Sequence, residues 1–499
     1  MSQTKETQEN ISRNITDSEK KISDTFDDCK DIKIQEYHYG YNLTQKAMTV
    51  HCSSLVQDQD ENHLKRVLQD LVTHELGQAD MISVGDIKSF FQKHGVSYYE
   101  ANLLSSYDEV IDDVLSGHVV ILFDQWDEAL SFEAISVESR GVDEPVSESV
   151  VKGPHDGMVE NLQTNLGLLR SRLRNPKFKI KSMTSGKSTK TEIAYGYLEG
   201  AVDPETLEEF EKRLEQLEDV EILETSYIEE LIEDSTYSPF PQYRYTERPD
   251  VAVSALLDGK ILVLVHGTGT AMICPALYLE LFQSPEDYYQ RTVISSMIRI
   301  LRFIAVIIAV TLPSVYISLS TFHPEMIPSQ LLLAVLDTRE GIPFPAIIEA
   351  LIMMFFFELM REAGIRLPKP VGEAVSIVGA LIIGEAAIEA GIASPIMVVV
   401  VALTGVSTFT IPSYNLGISY RILQYPLMFL SASLGAYGLA IGLLLIILHL
   451  TCLRSLGQPY LSPVAPARPF QWREVFVRIP LKTLLRSPRN KHMHRVPKN

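Results

Sequence analysis

Cysteine is scarce in this sequence, and its spacing excludes two common structural devices. The 499 residues contain four cysteines, Cys29, Cys52, Cys274 and Cys452, and no two of them form a CxxC pair. Such spacing is typical neither of a disulfide framework nor of a zinc site. We therefore expect reduced and mostly buried thiols, because free cysteine behaves in a fold as a small apolar residue.

Motifs of catalysis and cofactor binding are also missing. The sequence contains no HExxH and no GxSxG,. The GKST stretch that begins at Gly186 has Lys181 where a phosphate loop needs its first glycine, so we expect a solvated loop there,. The HGTGTA stretch (266–271) predicts a hairpin turn between two strands. We therefore predict no enzyme, no catalytic residue, no cofactor and no metal site.

Basic residues are few in the front of the chain. Residues 1–290 hold 53 Asp and Glu against 26 Lys and Arg, a net charge of −27, whereas residues 291–499 hold 10 against 18, a net charge of +8. A strongly acidic soluble region argues against nucleic-acid binding, which requires clustered basic residues. Residues 1–30 lack the apolar core of a signal peptide, so we expect the front of the chain to lie in the cytoplasm.

What the front of the chain does contain is a repeated α/β pattern. An amphipathic helix, a glycine and a β-branched strand occur around Gly117 and again around Gly259,. We predict a disordered polar tail (1–55), a first α/β subdomain (56–150), a linking helix and loop (151–190) and a second, related α/β subdomain (191–290).

The back of the chain predicts a membrane domain. Residues 303–320 are 18 uncharged residues, which as a helix span about 27 Å and so nearly cross the hydrocarbon core,. The fold class is therefore an α+β protein joined to an α-helical membrane bundle (291–453) of four to six helices, followed by a basic tail (454–499). Alternating basic loops place both termini in the cytoplasm. The candidate segments are 303–320, 344–360, 374–391, 394–411, 414–431 and 433–452.

One of these segments, helix 371–391, carries two carboxylates one helical turn apart. Charges at that depth are costly, so they face a bundle interior, water or a hydrogen-bonding partner; Glu349 lies in another apolar run. A stripe of small residues predicts close helix packing: Gly372, Ser376, Ala380, Gly384, Ala387 and Gly391. A neighbouring stripe supplies the pore-lining candidates of an oligomer: Val378, Leu381, Ile382, Glu385 and Glu389. The alternatives are an interhelical hydrogen bond or a re-entrant end in the headgroups.

A proline-rich segment, SPFPQYRYTERPD (238–250), allows two interpretations. Its prolines stiffen the chain and favour exposed side chains that contact a partner. The candidates for that contact are Tyr243, Arg244, Tyr245 and Arg248. The alternative is a rigid connector between the subdomains.

Several long stretches resemble the A subunits of GerA-type spore germination receptors. The segment 150–183, VVKGPHDGMVENLQTNLGLLRSRLRNPKFKIKSM, is similar to the family's link between two soluble subdomains. TSYIEELIEDSTYSPFPQYRYTERPDVAVSALLDGKILVLV (225–265), LFQSPEDYYQR (281–291) and IPFPAIIEALIMMFFFELMREAGIRLP also match. So does GALIIGEAAIEAGIASPIMVVVVALTGVSTFTIPSYNLGISYRIL (379–423). The resemblance covers about residues 95 to 480 in family order; the HGTGT turn departs from the family's Asp-Gly-Thr-Pro turn.

The resemblance implies a function that the residues alone do not. Such a subunit lies in the inner spore membrane of endospore-forming bacteria, beside a transporter-like B subunit that binds the nutrient and a lipoprotein C subunit. The A subunits form a homo-oligomeric, nutrient-gated cation channel. Under this reading Val378, Leu381 and Ile382 form an apolar constriction, and Glu385 and Glu389 attract cations beside it. A secondary transporter and a membrane-anchored scaffold are the alternatives.

Overall fold

The computed structural model describes residues 9–39, 45–56, 101–134, 145, 148, 150–368, 379, 382–467 and 475–480. The described residues form two compact units. The N-terminal unit comprises the residues up to Glu233 together with Tyr245–Pro275. The helical unit comprises Asp234–Arg244 and the described residues from Ala276 onward.

The first half of the N-terminal unit is built on a five-stranded sheet. Its strands lie in the order β1-β2-β4-β5-β3, and the four neighbouring pairs are antiparallel. Two helices pack on the sheet through an apolar cluster. The elements are α1 (Ile15–Thr25), β1 (Ile32–Tyr39), β2 (Gln45–Cys52), β3 (Ala101–Leu104), α2 (Tyr107–Leu115), β4 (His118–Phe123) and β5 (Ala129–Glu133).

The predicted disorder of residues 1–55 is therefore wrong for the part of this stretch that is described. Helix α1 begins at the N-cap Asn14 and buries Ile15 and Ile22 with Phe26 behind them. Strand β2 is buried from Ala47 to Cys52 between β1 and β4. The few apolar residues of this stretch are buried against the sheet. These tertiary contacts offset the conformational entropy that the stretch loses on ordering, which its local sequence alone would not offset.

The second half of the N-terminal unit is built on another five-stranded sheet. Its strand order is β6-β7-β9-β10-β8. Its apolar cluster lies between this sheet and helices α3 and α6. The elements are α3 (Leu162–Arg172), β6 (Phe178–Ser185), β7 (Thr191–Leu198), α4 (Pro204–Leu214), α5 (Thr225–Ile232), β8 (Arg244–Thr246), α6 (Pro249–Leu257), β9 (Ile261–Val265) and β10 (Ala271–Cys274).

The two sheets share one strand order, which supports the prediction of two related subdomains. In each, the helix before the fourth strand in sequence is followed by a glycine with positive φ: Gly117 at 87° and Gly259 at 80°. Only glycine adopts that conformation readily. A Cβ at Gly259 would also lie 2.4 Å from the Ala201 carbonyl oxygen. The HGTGTA turn connects antiparallel β9 and β10 as predicted, and GKST lies in the β6–β7 loop.

A buried ion pair joins the two halves of the N-terminal unit. The guanidinium of Arg170 on α3 donates from Nε and Nη2 to the two carboxylate oxygens of Asp31, both at 2.9 Å. Asp31 is 4% exposed and Arg170 is fully buried, with its guanidinium over the Phe178 ring. Beside the pair, the Lys30 N–H donates to the Ile180 carbonyl at 3.0 Å. The two sheets are thus fixed to each other by charge and by backbone.

The cysteines are free thiols, as predicted. Cys29, Cys52 and Cys274 are buried, whereas Cys452 is exposed. Burial, with the negative charge of Asp31 nearby, raises the pKa of the Cys52 thiol to about 12. A thiol that stays protonated is a poor nucleophile, so this residue packs rather than reacts.

In the part of the helical unit that the structure describes, two helices are long and apolar enough to cross a membrane. They are α8 and α12, of 30 and 39 residues, and α11 is a shorter apolar helix of 15. The predicted four to six spans remain a prediction. The elements are α7 (Glu286–Tyr289), α8 (Thr292–Thr321), α9 (Ser329–Arg339), α10 (Ala346–Arg366), α11 (Pro395–Phe409), α12 (Tyr414–Cys452), β11 (Arg454–Ser455) and β12 (Gln458–Pro459).

Helix α12 is two helices that turn back on each other at Gly435. The backbone there is non-helical, with φ 63° and ψ −142°. The Phe240 ring lies 6.1 Å from the Tyr420 ring and 5.9 Å from the His449 ring. In one straight helix those two residues would be roughly 43 Å apart. The predicted segments 414–431 and 433–452 thus pair as a helical hairpin.

The outward faces of the long helices are apolar. Ile304 and Ile307 on α8 are 53% and 62% exposed, and Leu444 and Leu448 on α12 are 66% and 60% exposed. Soluble proteins rarely expose contiguous apolar surface of this kind. These faces suit contact with lipid chains.

Candidate functional site

The described part of the pore-candidate helix is Gly379 and the helical stretch 382–389, followed by its end at 390–391. Glu385 and Glu389 lie on its uncovered side, and Ile382 beside them is 58% exposed. Val378 and Leu381, the other two pore-lining candidates, lie outside the described residues. Within this chain, therefore, no other segment that the structure describes covers the two carboxylates.

The opposite side of the stretch packs against the chain itself. Ala387 is 4% exposed and belongs to an apolar cluster with Met397 of α11. Gly384 is buried, and a Cβ there would lie 3.5 Å from Val398 Cγ1. Gly391 ends the helix with φ 64°. These small residues allow α11 to pack closely against the stretch. The other packing candidates, Gly372, Ser376 and Ala380, lie outside the described residues.

A tight turn separates the stretch from α11. The N–H groups of Ile392 and Ala393 both donate to the Ala387 carbonyl, at 2.9 and 3.2 Å. Ser394 then caps α11, its hydroxyl accepting from the Met397 N–H at 3.2 Å, with Pro395 at the first helical position. A positive-φ glycine before the turn and a serine cap after it are the usual stop and start signals of helices.

A third carboxylate, Glu349 of α10, holds this turn in place. Its Oε1 accepts the Ser394 N–H at 2.6 Å and also the Ser394 hydroxyl. Its Oε2 lies 3.8 Å from Arg339 Nε, and the Tyr316 hydroxyl lies 3.4 Å from the Ser394 hydroxyl. Glu349 is fully buried. A carboxylate at the N-terminus of α11 also interacts favourably with the helix dipole.

The sequence marks Glu349 as an intramembrane acid but gives no sign of its partner. Ser394 lies 45 residues away. The one local signal is the serine cap itself, in the order Ser-Pro before an apolar run. The contact between Glu349 and that serine cap depends on how the helices pack, which the local sequence does not show.

A polar contact joins α8 and the first half of α12 inside the helical unit. Pro313 within α8 has no N–H, so the Ala309 carbonyl four residues earlier loses its helical donor,. Gln424 Nε2 donates to that carbonyl at 2.7 Å, and Gln424 is fully buried. A side chain of α12 thus satisfies the carbonyl that the proline leaves open.

The proline-rich segment is less exposed than its sequence suggested. Tyr243 is 1% exposed and Arg248 is fully buried, so the expected exposure is wrong for these two residues. The Arg248 guanidinium donates to the Pro154 carbonyl at 2.9 Å and to Asp250 at 3.0 Å, so the chain itself satisfies the charge. Arg244 and Tyr245 are half-buried. A partner contact through these two remains a prediction.

Among the described residues, no group of three or more His, Cys, Asp or Glu side chains is arranged to hold a metal ion. Two carboxylates are uncovered by the described chain, while a third, buried carboxylate hydrogen-bonds the backbone of the turn next to them.

Comparisons with known proteins point in one direction. The model of a family described as Bacillus/Clostridium GerA spore germination protein matches residues 20–490. The chain is 39% identical over 471 residues to spore germination protein KA of Bacillus subtilis, covering 94% of this chain and 84% of that protein. It is 37% identical over 475 residues to spore germination protein GerLA of Bacillus cereus, covering 95% of each.

Two further proteins are similar. An uncharacterized membrane protein of Bacillus subtilis, YfkQ, is 37% identical over 478 residues, covering 96% of this chain and 91% of that protein. Among solved structures, the N-terminal domain of the A subunit of the Bacillus megaterium spore germinant receptor GerK3 covers 55% of this chain and 99% of that one, with 25% identity and a TM-score of 0.42.

Proposed function

The chain belongs to the Bacillus/Clostridium GerA spore germination protein family, and on that premise we propose that it is the A subunit of a nutrient germinant receptor that triggers spore germination. A family match over residues 20–490 and relatives named as spore germination proteins support this role. The receptor lies in the inner spore membrane with both termini of this chain in the cytoplasm. Its two long apolar helices and a relative named as a membrane protein support the membrane location.

The proposal extends to ion conduction. Several copies of this chain assemble so that their 382–389 stretches surround a water-filled path, beside a transporter-like B subunit and a lipoprotein C subunit. Glu385 and Glu389 then form rings that favour cations, and Ile382, with Val378 and Leu381, forms the apolar gate.

One observation carries the conduction proposal. Glu385 and Glu389 are uncovered, whereas the other side of their helix is buried against α11. A carboxylate that faced lipid would be costly, and no other part of the described chain covers this pair. A ring of such helices gives the carboxylates water and leaves the apolar residues in protein.

Potassium flux through liposomes tests the proposal. The chain is reconstituted with its B and C partners, and flux is recorded with and without candidate nutrients. Changing Glu385 and Glu389 to Gln should lower the nutrient-dependent flux or its preference for cations over anions. Glu325→Gln is the matched control, since Glu325 is an exposed acid in the loop after α8 and lies off the helix.

The same experiment separates the alternatives. Saturable, stoichiometric solute uptake would indicate a transporter, which the break between residues 389 and 395 would suit. An intact complex that passes no ion with any nutrient would indicate a membrane-anchored scaffold. Equal flux and ion preference in the Gln variants and the control would overturn the assignment of the two carboxylates.

A further inference from the structure

Eleven residues of the proline-rich region belong to the helical unit although their sequence neighbours do not. The chain belongs to the N-terminal unit up to Glu233 and again from Tyr245, whereas Asp234–Arg244 clusters with the helices. We name residues 234–244 the inserted loop. Because both of its ends continue into the N-terminal unit, a displacement of either end pulls directly on whatever the loop holds.

The inserted loop has a shape fixed by its own contacts. The Gln242 side chain accepts the Asp234 N–H at 2.8 Å through Oε1 and donates to the Ser235 carbonyl at 3.0 Å through Nε2. Gln242 is fully buried. Pro239 and Pro241 fix two φ angles between these closing bonds. The loop is therefore a closed, stiff element rather than a slack tether.

Phe240 at the tip of the loop is an aromatic anchor. It is 2% exposed, and its ring lies 6.2 Å from the ring of Tyr278 as well as close to those of Tyr420 and His449. Tyr420 belongs to the first half of the α12 hairpin and His449 to the second half. One side chain of the loop thus touches both halves of the hairpin, opposite its turn at Gly435.

Hydrogen bonds to the loop backbone reinforce the anchor. The carbonyl of Pro241 accepts the Tyr460 hydroxyl at 2.6 Å, and the carbonyl of Gln242 accepts the Ser455 hydroxyl at 2.7 Å. The carbonyl of Pro239 accepts the Ser419 hydroxyl of α12. The Ser238 hydroxyl lies 2.9 Å from His449 Nε2. Three consecutive stretches of the helical unit, around 419, 449 and 455–460, are therefore held by one loop.

We infer that the inserted loop is the element through which the N-terminal unit acts on the α12 hairpin, with Phe240 as its positioning residue. The inference rests on the proposed receptor role but not on ion conduction. A change in the N-terminal unit that shifts the loop moves both halves of the hairpin together, because the Phe240 ring lies against Tyr420 in the first half and His449 in the second. Without the anchor, the hairpin no longer follows the N-terminal unit.

Spores that carry Phe240→Ala in place of the wild-type chain test this coupling. Tyr237→Ala is the matched control, since Tyr237 lies in the same loop and is fully exposed. Germination is followed across a series of nutrient concentrations, with the amount of chain in the spore membrane measured in parallel. We expect the Phe240→Ala response at saturating nutrient to fall at least about tenfold at an unchanged amount of chain, a usual size for coupling between sites. Phe240→Leu, which keeps an apolar anchor, should recover part of it.

Two further variants keep the test decisive if Phe240→Ala does not accumulate. Tyr460→Phe and Ser455→Ala each delete one hydroxyl that binds a loop carbonyl and leave the packing in place. At normal abundance, each should raise the nutrient concentration for half-maximal response. Dose responses equal to that of Tyr237→Ala, in these variants or in Phe240→Ala, would overturn the inference.

The flux assay separates this inference from the conduction proposal. If wild-type spores germinate but the reconstituted receptor passes no ion, conduction fails and the spore result for Phe240 still decides the coupling. If nutrient-dependent flux is present, and Phe240→Ala keeps the full flux in liposomes and the full germination response in spores, the coupling fails and conduction stands.

Discussion

Carboxylates in the apolar helices of this protein differ by what surrounds them. Glu385 and Glu389 are uncovered by the described chain, whereas Glu349 is fully buried and accepts two hydrogen bonds from Ser394. The same residue type therefore occurs in two different environments. The uncovered pair is the one to which we assign the proposed cation path, and the buried carboxylate hydrogen-bonds the turn that ends their helix.

Replacing Glu349 tests its part in fixing that turn. Glu349→Ala removes the acceptor of a buried backbone N–H and the charge 3.8 Å from Arg339 Nε. Hydrogen bonds to a charged group contribute about 2 kcal/mol, so the free energy of unfolding of the helical unit should fall by about that amount. Glu349→Gln, which keeps one acceptor oxygen, should lose less. Thermal unfolding in detergent measures both, and a Glu349→Ala midpoint equal to that of Glu325→Gln would contradict the role.

The stability of the N-terminal unit should depend on pH through the carboxyl group of Glu221. It accepts hydrogen bonds from the Thr189 hydroxyl and from the backbone N–H groups of Ser188 and Thr189, which lower the pKa of its carboxyl to about 2 from an ordinary 4.5. The folded state binds the proton less readily than the unfolded state. Its contribution is therefore complete above pH 4.5 and is lost as pH falls from about 4.5 to 2,.

In the Glu221→Gln variant, the thermal unfolding midpoint should fall less steeply than in the wild type as the pH is lowered through that window. The effect should be small, because the carboxyl is exposed to water,. Glu205→Gln, an exposed acid at the start of α4, controls for the loss of one negative charge. Equal slopes for the two variants would show that the hydrogen bonds to the 186–189 loop carry no pH-dependent stability.

At the scale of elements, the α12 hairpin depends on glycine at its turn. Gly435 has φ 63° and ψ −142°, a conformation that residues with a Cβ rarely adopt,. A Cβ there would also lie 2.9 Å from Phe322 Cβ and from His323 Nε2. Gly438 and Gly442 then let the two halves approach, since a Cβ at Gly442 would lie 2.4 Å from Leu427 Cδ2.

Gly435→Ala should therefore destabilise the helical unit by more than the backbone cost alone. Gly457→Ala is the control, since Gly457 has φ 77° and no atom within 4 Å of a built Cβ. The control should cost about 1–2 kcal/mol, the usual penalty for a left-handed residue, and Gly435→Ala should cost more because of its contacts. Unfolding midpoints of both variants in detergent decide this. Equal losses would mean that the turn relaxes around the added methyl group.

For the whole molecule, one buried pair joins the two repeated sheets. Asp31 comes from the segment before β1, and Arg170 comes from α3, 139 residues away. Neither side of the pair reaches water. The N-terminal unit is consequently expected to unfold with its two sheets coupled.

Arg170→Leu should break that coupling. It leaves Asp31 buried without its cation, a loss that costs about 3–5 kcal/mol in buried pairs. Arg172→Leu, two residues on, removes a guanidinium that pairs with Asp156 at the surface, where ion pairs contribute at most about 1 kcal/mol,. Chemical denaturation of the full chain, followed by a signal from the N-terminal unit, compares the two. Similar midpoints would refute the coupling.

The sequence determined those features that repeat locally. The helix–glycine–strand pattern around Gly117 and Gly259 identified two related subdomains, the 266–271 turn identified the β9–β10 hairpin, and residues 414–431 and 433–452 identified the two halves of α12. Each signal lies within some ten to twenty residues, where periodicity and glycine act directly. The family resemblance added the receptor role, which no local pattern contains.

Only the tertiary structure decided features that depend on distant partners. Order in residues 15–39 and 45–52 requires the buried strands of their sheet, and the polar local sequence gives no sign of this burial. Tyr243 and Arg248 are buried, and the Arg248 guanidinium is held by the distant Pro154 carbonyl. Glu349 acquires its role from Ser394, 45 residues along the chain. Burial and pairing are properties of the folded chain. The conformational entropy lost on folding and the cost of burying a polar group are offset only when the group and its distant partner come together.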